Sequence, residues 1–252
     1  MPSVLPAATL AMLVVATTLS GCATTDASES GDAIEPANRG VFSFNQGLDH
    51  KVLRPVAQGY EAHVPESVRS CVRNVFSNLG DIFTSVNQLL QGEPRKAGSD
   101  ISRFGINTTV GVLGCFDPAT SMGLAKHKRD FGETLALWGV PPGPYVVLPL
   151  FGPSTVRDAF GLVPSWFLDP IDYIAGPAIY AVKGTQTVSN RSSNLKASDL
   201  VDSAALDPYL FTRDAFLARR LDQIYDGHPP RQQEETEPMP RTEPSDGTAD
   251  LN

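Results

Sequence analysis

Gly139–Gly152 reads GVPPGPYVVLPLFG, a run apolar enough for a core strand that nevertheless carries four prolines and three glycines. Proline removes a backbone donor and restricts φ, and glycine loosens φ, so the run is expected to be neither a regular helix nor a central strand. An apolar segment whose backbone lacks regular pairing must be buried in protein, line a cavity, or be completed by a partner. Two readings follow: a tight Pro/Gly loop tucked against a core, or a rigid apolar loop beside a lipid path.

The rest of the chain gives that segment its setting. The 252 residues carry a net charge of −8. Of this, −4 lies before residue 36 and −5 from residue 226 onward, which leaves residues 36–225 at +1. No basic stripe with interleaved aromatics points to nucleic acid. Residues 4–19 (VLPAATLAMLVVATTL) form an apolar segment too short for a confident membrane span. It ends in Leu19-Ser20-Gly21-Cys22, which resembles a bacterial lipobox, with Cys22 as the lipid-anchor residue. Residues 1–21 are thus expected to be a lipoprotein signal peptide, and 22–34, small, polar and acidic, a flexible tether. By the same resemblance, Ala23 rather than Asp after Cys22 favours sorting to the outer membrane. Cys71 and Cys115 remain, in an oxidising compartment, either paired or as two buried thiols.

Helical spacing of apolar residues recurs along the middle. Phe42, Phe44 and Leu48 align within 35–53, and Pro55 is expected to end or kink that helix. Pro65 opens a second helix with Val68, Val72 and Phe76 on one side. Gly80 is expected to interrupt it, and Asp81 to cap a third helix carrying Ile82, Phe83, Val86 and Leu90. A weaker helix covers 95–109. A second breaker-rich apolar stretch, Val110–Pro118 (VGVLGCFDP), precedes a basic turn at Lys126-His127-Lys128-Arg129 and a short helix over Asp130–Trp138. Ser154 is placed to cap Thr155–Val163, residues 178–206 read as one long helix, and Asp207-Pro208 open a last helix through about Tyr225. Residues 226–252, rich in Pro, Glu, Gln and Thr, are expected to be an acidic disordered tail. The expected fold is mainly α: short amphipathic helices with Gly/Pro-rich apolar loops and no large sheet.

Catalytic chemistry finds little support, and no enzyme is expected. Ser154 lies in Gly-Pro-Ser-Thr, outside a nucleophile elbow. His50, His63, His127 and His228 are scattered in polar settings. Asp130/Glu133 and Asp169/Asp172 have spacing that suits a solvent-facing polar edge better than acid–base work or cation binding, and adjacent Arg157 and Asp158 cannot be assumed to pair. No cofactor and no metal site is expected.

Several stretches together resemble the MlaA (VacJ) family: DAIEPANRGVFSFNQGLD, VPESVR, NVFSNLGD, NQLLQGEPRKAGSD, RFGINTTVG, GCFDPA, DPYLFTRDAFLARR and above all DFGETLALWGVPPGPYVVLPLFGPSTVRD. The match covers roughly residues 32–220, within a helical domain placed at 35–225. The resemblance implies an outer-membrane lipoprotein whose ring of amphipathic helices lies in the periplasmic leaflet around a polar-lined channel. Misplaced outer-leaflet phospholipids would pass through it to a soluble periplasmic carrier, with trimeric porins as partners. In that picture Gly139, Pro141, Pro142, Gly143, Pro144, Tyr145, Leu148, Pro149 and Gly152 shape the channel mouth. Phe42, Phe44, Leu48, Val72, Phe76, Phe83 and Leu90 face acyl chains or pack the ring. Lys126, Lys128 and Arg129 could meet lipid phosphates or form a plain solvated turn. The alternative function is a structural lipoprotein that binds a porin or envelope scaffold without passing lipid.

Overall fold

A computed structural model describes residues 34–174 and 176–229. The signal segment, Cys22, most of the tether and the tail from residue 230 lie outside the described residues.

The chain opens with helix α1 (Glu35–Leu48), which passes through a single π-helical turn at Asp49–Leu53 straight into α2 (Arg54–His63). Pro55 was expected to end or kink the helix. The wide turn absorbs it, because Arg54 N–H reaches back five residues to Asp49 O and the proline falls where the pattern is already shifted. Helix α3 runs unbroken over Glu66–Leu90. The expected break at Gly80 does not occur: glycine inside a helix costs only about 1 kcal/mol relative to alanine. Asp81 is buried mid-helix and pairs with Lys126, so it does not act as a cap. Helix α4 (Pro94–Thr109) follows, and a tight turn at 110–116 leads to the short α5 (Pro118–Ser121), capped by Asp117.

Helix α6 (Phe131–Leu137) is capped by Asp130, whose side chain accepts from Glu133 N–H. Then comes the segment that the sequence marks out. Its second half forms a strand, β1 (Tyr145–Leu148), antiparallel to β2 (Gly152–Thr155), with Tyr145 opposite Thr155 and Leu148 opposite Gly152. The expectation that this run lacks regular pairing is therefore corrected. The hairpin is two strands only, and α1 completes its open edge with side chains. Asn38 donates to Tyr145 O (3.0 Å) and accepts from Val147 N–H (2.8 Å). Seven residues on, Asn45 does the same for Leu148 O (2.9 Å) and Leu150 N–H (2.9 Å). Two helical turns thus place two amides where a third strand would otherwise be needed.

Thr155, not Ser154, caps helix α7 (Val156–Leu168), and Pro164 lies inside that helix instead of ending it. A 3-10 turn at Pro170–Tyr173 leads to α8 (Ala178–Ser193), α9 (Leu195–Ala204) and α10 (Pro208–Ile224), the last capped by Asp207. The single helix expected over 178–206 is split at Asn194, whose side-chain amide donates to Asn190 O (2.7 Å) and offers the backbone a local alternative. Helix α3 packs on α4, α6 and α8; α6 packs on α7 and α10; the hairpin sits between α1, α7 and α10. The fold is mainly α with one small hairpin and no large sheet among the described residues.

Polarity is distributed the wrong way round for a water-soluble bundle. Among the described residues, twenty polar or charged side chains are buried against eight apolar ones. Thirty large apolar residues are exposed. Helix α3 buries Asn78, Asp81, Thr84, Ser85, Asn87 and Gln88, while Val68, Leu89 and Leu90 point outward. Helix α4 buries Asp100, Arg103 and Asn107 and exposes Ile101. The apolar core is small: Tyr145, Val147 and Tyr209, with Val41, Phe42, Leu210 and Phe216 against it.

Cys71 and Cys115 form a disulfide across 44 residues, joining α3 to the 110–116 turn. Closing a loop of that length removes unfolded-state entropy equivalent to about 4 kcal/mol. Cys71→Ser is expected to lower the unfolding free energy by up to that amount, read by thermal or denaturant unfolding of detergent-solubilised protein. An unchanged midpoint would show that the bridge is dispensable to the fold.

Candidate functional site

A cavity of about 220 Å³ lies where α3, α6, α7, α10 and the hairpin meet. Its walls are mostly apolar: Phe83 from α3, Leu148, Phe151 and Pro153 from the hairpin, Leu162 from α7 and Phe216 from α10. Ser154, Ser165, Asp130, Asp158 and Arg220 supply its polar side. Such a space combines an oily wall with a charged end, the division of a lipid molecule in small.

The charged end is built around Arg220 of α10. Its guanidinium grips Asp130 through Nη1 and Nη2 (2.6 and 2.7 Å) and Asp158 through Nε and Nη2 (both 2.9 Å). Nη1 also reaches Glu133 (3.3 Å). One arginine thus ties α10 to the start of α6 and to α7. The planar fork suits this task, because it presents several donors in one fixed geometry. Burial pushes the Glu133 carboxyl up, and the neighbouring Asp130 charge adds to this against the pull of Arg220 and Arg129. Burial would also raise Asp130, but the Arg220 hydrogen bond and charge outweigh it and hold Asp130 below its usual range. Glycines permit the crossing. A Cβ on Gly161 would lie 2.7 Å from Gly132 N and 2.9 Å from Gly132 Cα, so α6 and α7 meet backbone to backbone. Arg157 and Asp158, whose pairing adjacency alone left open, do pair (Nε–Oδ1 3.0 Å). Asp130 and Glu133 share no solvent-facing edge: the Asp130 side chain is half exposed, and Glu133 is fully buried.

A second polar cluster lies between α3 and α4. Arg103, 1% exposed, donates to Asp117 (2.8 Å) and to Thr120 Oγ1 (3.0 Å) and faces Asp81. Burial alone would raise Asp117, but bonds from Thr120, Arg103 and Asn107 overcome it and pull its pKa down to about 2. A carboxyl whose folded pKa is depressed stabilises the fold above its unfolded pKa and loses that contribution as pH falls through the folded value. Asp117 therefore contributes on the order of 2 kcal/mol at neutral pH, lost between about pH 4 and pH 2. Asp117→Asn is expected to flatten acid unfolding in that window; an unchanged acid limb would mean that Asp117 is not held by this cluster.

The expected site residues divide. Leu148 lines the cavity, Tyr145 is in the core, and Gly139, Pro141, Pro142, Gly143, Pro144 and Pro149 are exposed away from the cavity lining. Gly152 opens β2 with φ +81°, a backbone shape that favours glycine. Phe42 packs on the core and Phe83 on the cavity; Phe44 and Leu90 are exposed; Leu48, Val72 and Phe76 are half-buried. Of the basic turn, Lys126 pairs with Asp81, and Arg129 is buried between Glu133, Gln223 O and Asp226. Both charges are therefore engaged by carboxylates of the chain itself, Lys126 at the surface and Arg129 in the interior. Lys128 is exposed. Arg220, Asp158, Ser165 and Phe216 were not anticipated at the cavity. No local pattern marks them, because they come together only through the packing of α7 and α10.

Asp226 also pairs with Lys96 (2.7 Å), so the folded part extends beyond the boundary expected at 225. Truncation after Tyr225 removes both of its pairs and is expected to destabilise by about 1 kcal/mol, since Asp226 is half exposed. Truncation after Pro229 is expected to leave the thermal midpoint unchanged. Equal midpoints for the two truncations would contradict the assignment.

Against known families, the model for the MlaA lipoprotein matches residues 30–223. The chain belongs to the MlaA lipoprotein family. The intermembrane phospholipid transport system lipoprotein MlaA of Haemophilus influenzae is 34% identical over 227 residues, covering 86% of this chain and 90% of the relative. The Escherichia coli protein of the same name is 33% identical over 220 residues, 83% of this chain and 86% of that one. A chain solved in work on the structural basis for maintenance of bacterial outer membrane lipid asymmetry superposes with a TM-score of 0.67 at 31% identity. The match covers 78% of this chain and 99% of that one. The relatives carry names of transport-system lipoproteins. Among the described residues no helix is long and apolar enough to cross a membrane, and no group of His, Cys, Asp and Glu could hold a metal ion.

Proposed function

We propose that this chain is an outer-membrane-associated lipoprotein that removes misplaced phospholipids from the outer leaflet and hands them to a soluble periplasmic carrier, maintaining lipid asymmetry. The observation that carries the reading is the reversed polarity: among the described residues, twenty buried polar side chains against eight apolar ones, with thirty large apolar residues facing out. Such a body is solvated by acyl chains at its surface and keeps its polar groups for its interior. Moving a phospholipid across hydrocarbon costs most at the head group, and a polar-lined interior lowers that cost. The family relatives are named for intermembrane phospholipid transport, which supports the same assignment. In this reading Cys22 carries the lipid anchor, the helices lie in the periplasmic leaflet, and an outer-membrane porin trimer surrounds or adjoins them. Exposed Lys128 is the remaining candidate of its turn for a phosphate contact. The cavity beneath Leu148 and Phe151 is one station on the lipid's path.

The test reconstitutes the full lipidated chain in vesicles with labelled phospholipid and measures transfer to the soluble carrier. Transfer by the parent protein that falls with Leu148→Asp, while membrane association persists, is the expected result. Membrane-associated protein that binds porin and transfers no lipid would replace this reading with that of a structural lipoprotein.

A further inference from the structure

The turn between α4 and α5 exposes Val110, Val112, Leu113 and Phe116 by 71, 61, 72 and 63%. Leaving four such side chains in water forgoes about 1.5–3 kcal/mol each. The backbone beneath them is strained in order to do this. Val112 and Leu113 stand at φ +53° and +56°, a region where a β-branched residue is an outlier, and Gly114 follows at +85°. Glycine is required on either side: a Cβ on Gly114 would come within 2.8 Å of the Asn78 side chain, and one on Gly111 would collide with Asn107 O and Phe116 O. The disulfide at Cys115 and the Asn74 amide on Cys115 O (3.0 Å) hold the turn to α3.

The tight winding makes the backbone self-sufficient. Six of the seven N–H groups from Val110 to Phe116 donate within the chain. Val110 and Gly111 donate to Ile106 O, Leu113 to Thr108 O, Gly114 to Asn107 O, Cys115 to Val112 O and Phe116 to Gly111 O. No side chain from 110 to 116 is ionisable once Cys115 is bridged, and Asp117 turns inward to Arg103. A loop in water has no need to close its own hydrogen bonds. A loop in hydrocarbon does, because nothing there replaces them. We infer that Val110–Phe116 is a lipid-inserting prow, a rigid turn that enters the acyl-chain layer of a membrane. The inference rests on the leaflet reading above and assigns this turn as a specific point of entry.

The test uses the full chain with Trp138 and Trp166 replaced by Phe and one tryptophan restored at Leu113→Trp. It is reconstituted into phosphatidylethanolamine–phosphatidylglycerol vesicles with brominated acyl chains. Phe116→Trp is a second probe that avoids the positive-φ position, and a protein keeping only Trp166 reports on α7. Strong bromolipid quenching with a blue-shifted emission at Leu113→Trp or Phe116→Trp is expected. Both turn probes unquenched while Trp166 is quenched would overturn the inference and leave the leaflet reading standing. All three unquenched would overturn both.

Discussion

Arg220→Ala is expected to lower the unfolding free energy by about 3 kcal/mol, the low end for breaking a buried ion pair, because Glu133 and Asp158 are buried while the third acid, Asp130, is half exposed. Asp130, Glu133 and Asp158 all converge on that guanidinium, from two different helices. Arg129 and Arg157 still hold Glu133 and Asp158 respectively, which keeps the loss from being larger. Arg220→Lys should recover only part of the loss, since a point charge cannot span carboxylates on both helices at once. The pH dependence has a definite sign. Arg220 holds the Asp130 pKa low, so its stabilisation is complete above the ordinary aspartate value of about 4 and fades as pH falls through the lowered one. The gap between parent and variant should therefore be widest at neutral pH and narrow in acid. Unfolding of detergent-solubilised protein at pH 7 and pH 3 decides it; a neutral-pH loss under 1 kcal/mol would contradict a central clamp.

Gly161→Ala is expected to destabilise by about 3 kcal/mol, the upper end of ordinary overpacking. The added methyl meets Gly132 N and Cα, backbone atoms that cannot rotate aside, so α7 must withdraw from α6. That withdrawal also lengthens the Arg220 bridges, so the variant should enlarge the cavity as well as weaken the fold. Gly80→Ala supplies the opposite sign. Nothing lies within 4 Å of its Cβ position, and the residue is inside α3, so helix propensity alone predicts a gain of about 1 kcal/mol. Matching midpoints for the two alanine variants would mean that the α6–α7 crossing is not close.

The sequence disclosed the helices and their faces but not which face turned inward. Phe44, Val68 and Leu90 recur at helical spacing whether they meet a core or a membrane; the distinction lies in what the opposite face must bury. For α3 and α4 that face is Asn78, Asp81, Gln88, Asp100 and Arg103, and its burial depends on partners tens of residues away. Local punctuation misled in proportion to its weakness. Gly80 carries a modest penalty that packing overrides, and Pro55 falls where a π-helical turn has already shifted the pattern, whereas Asp130, Asp117 and Asp207 cap where a short side chain before a helix is expected to cap. The hairpin was missed because its second edge is completed by Asn38 and Asn45 from a helix a hundred residues earlier, a device with no strand-like signature. Arg220 was invisible for the same reason: its meaning comes from three acids that converge only in the folded chain.

The thirty exposed large apolar side chains among the described residues bear on how the protein is made as well as on what it contacts. A surface of that kind clumps on contact with others like it in aqueous surroundings. On the proposed leaflet reading, the folded body has to be shielded from others like it before it meets lipid, or its folding deferred until then.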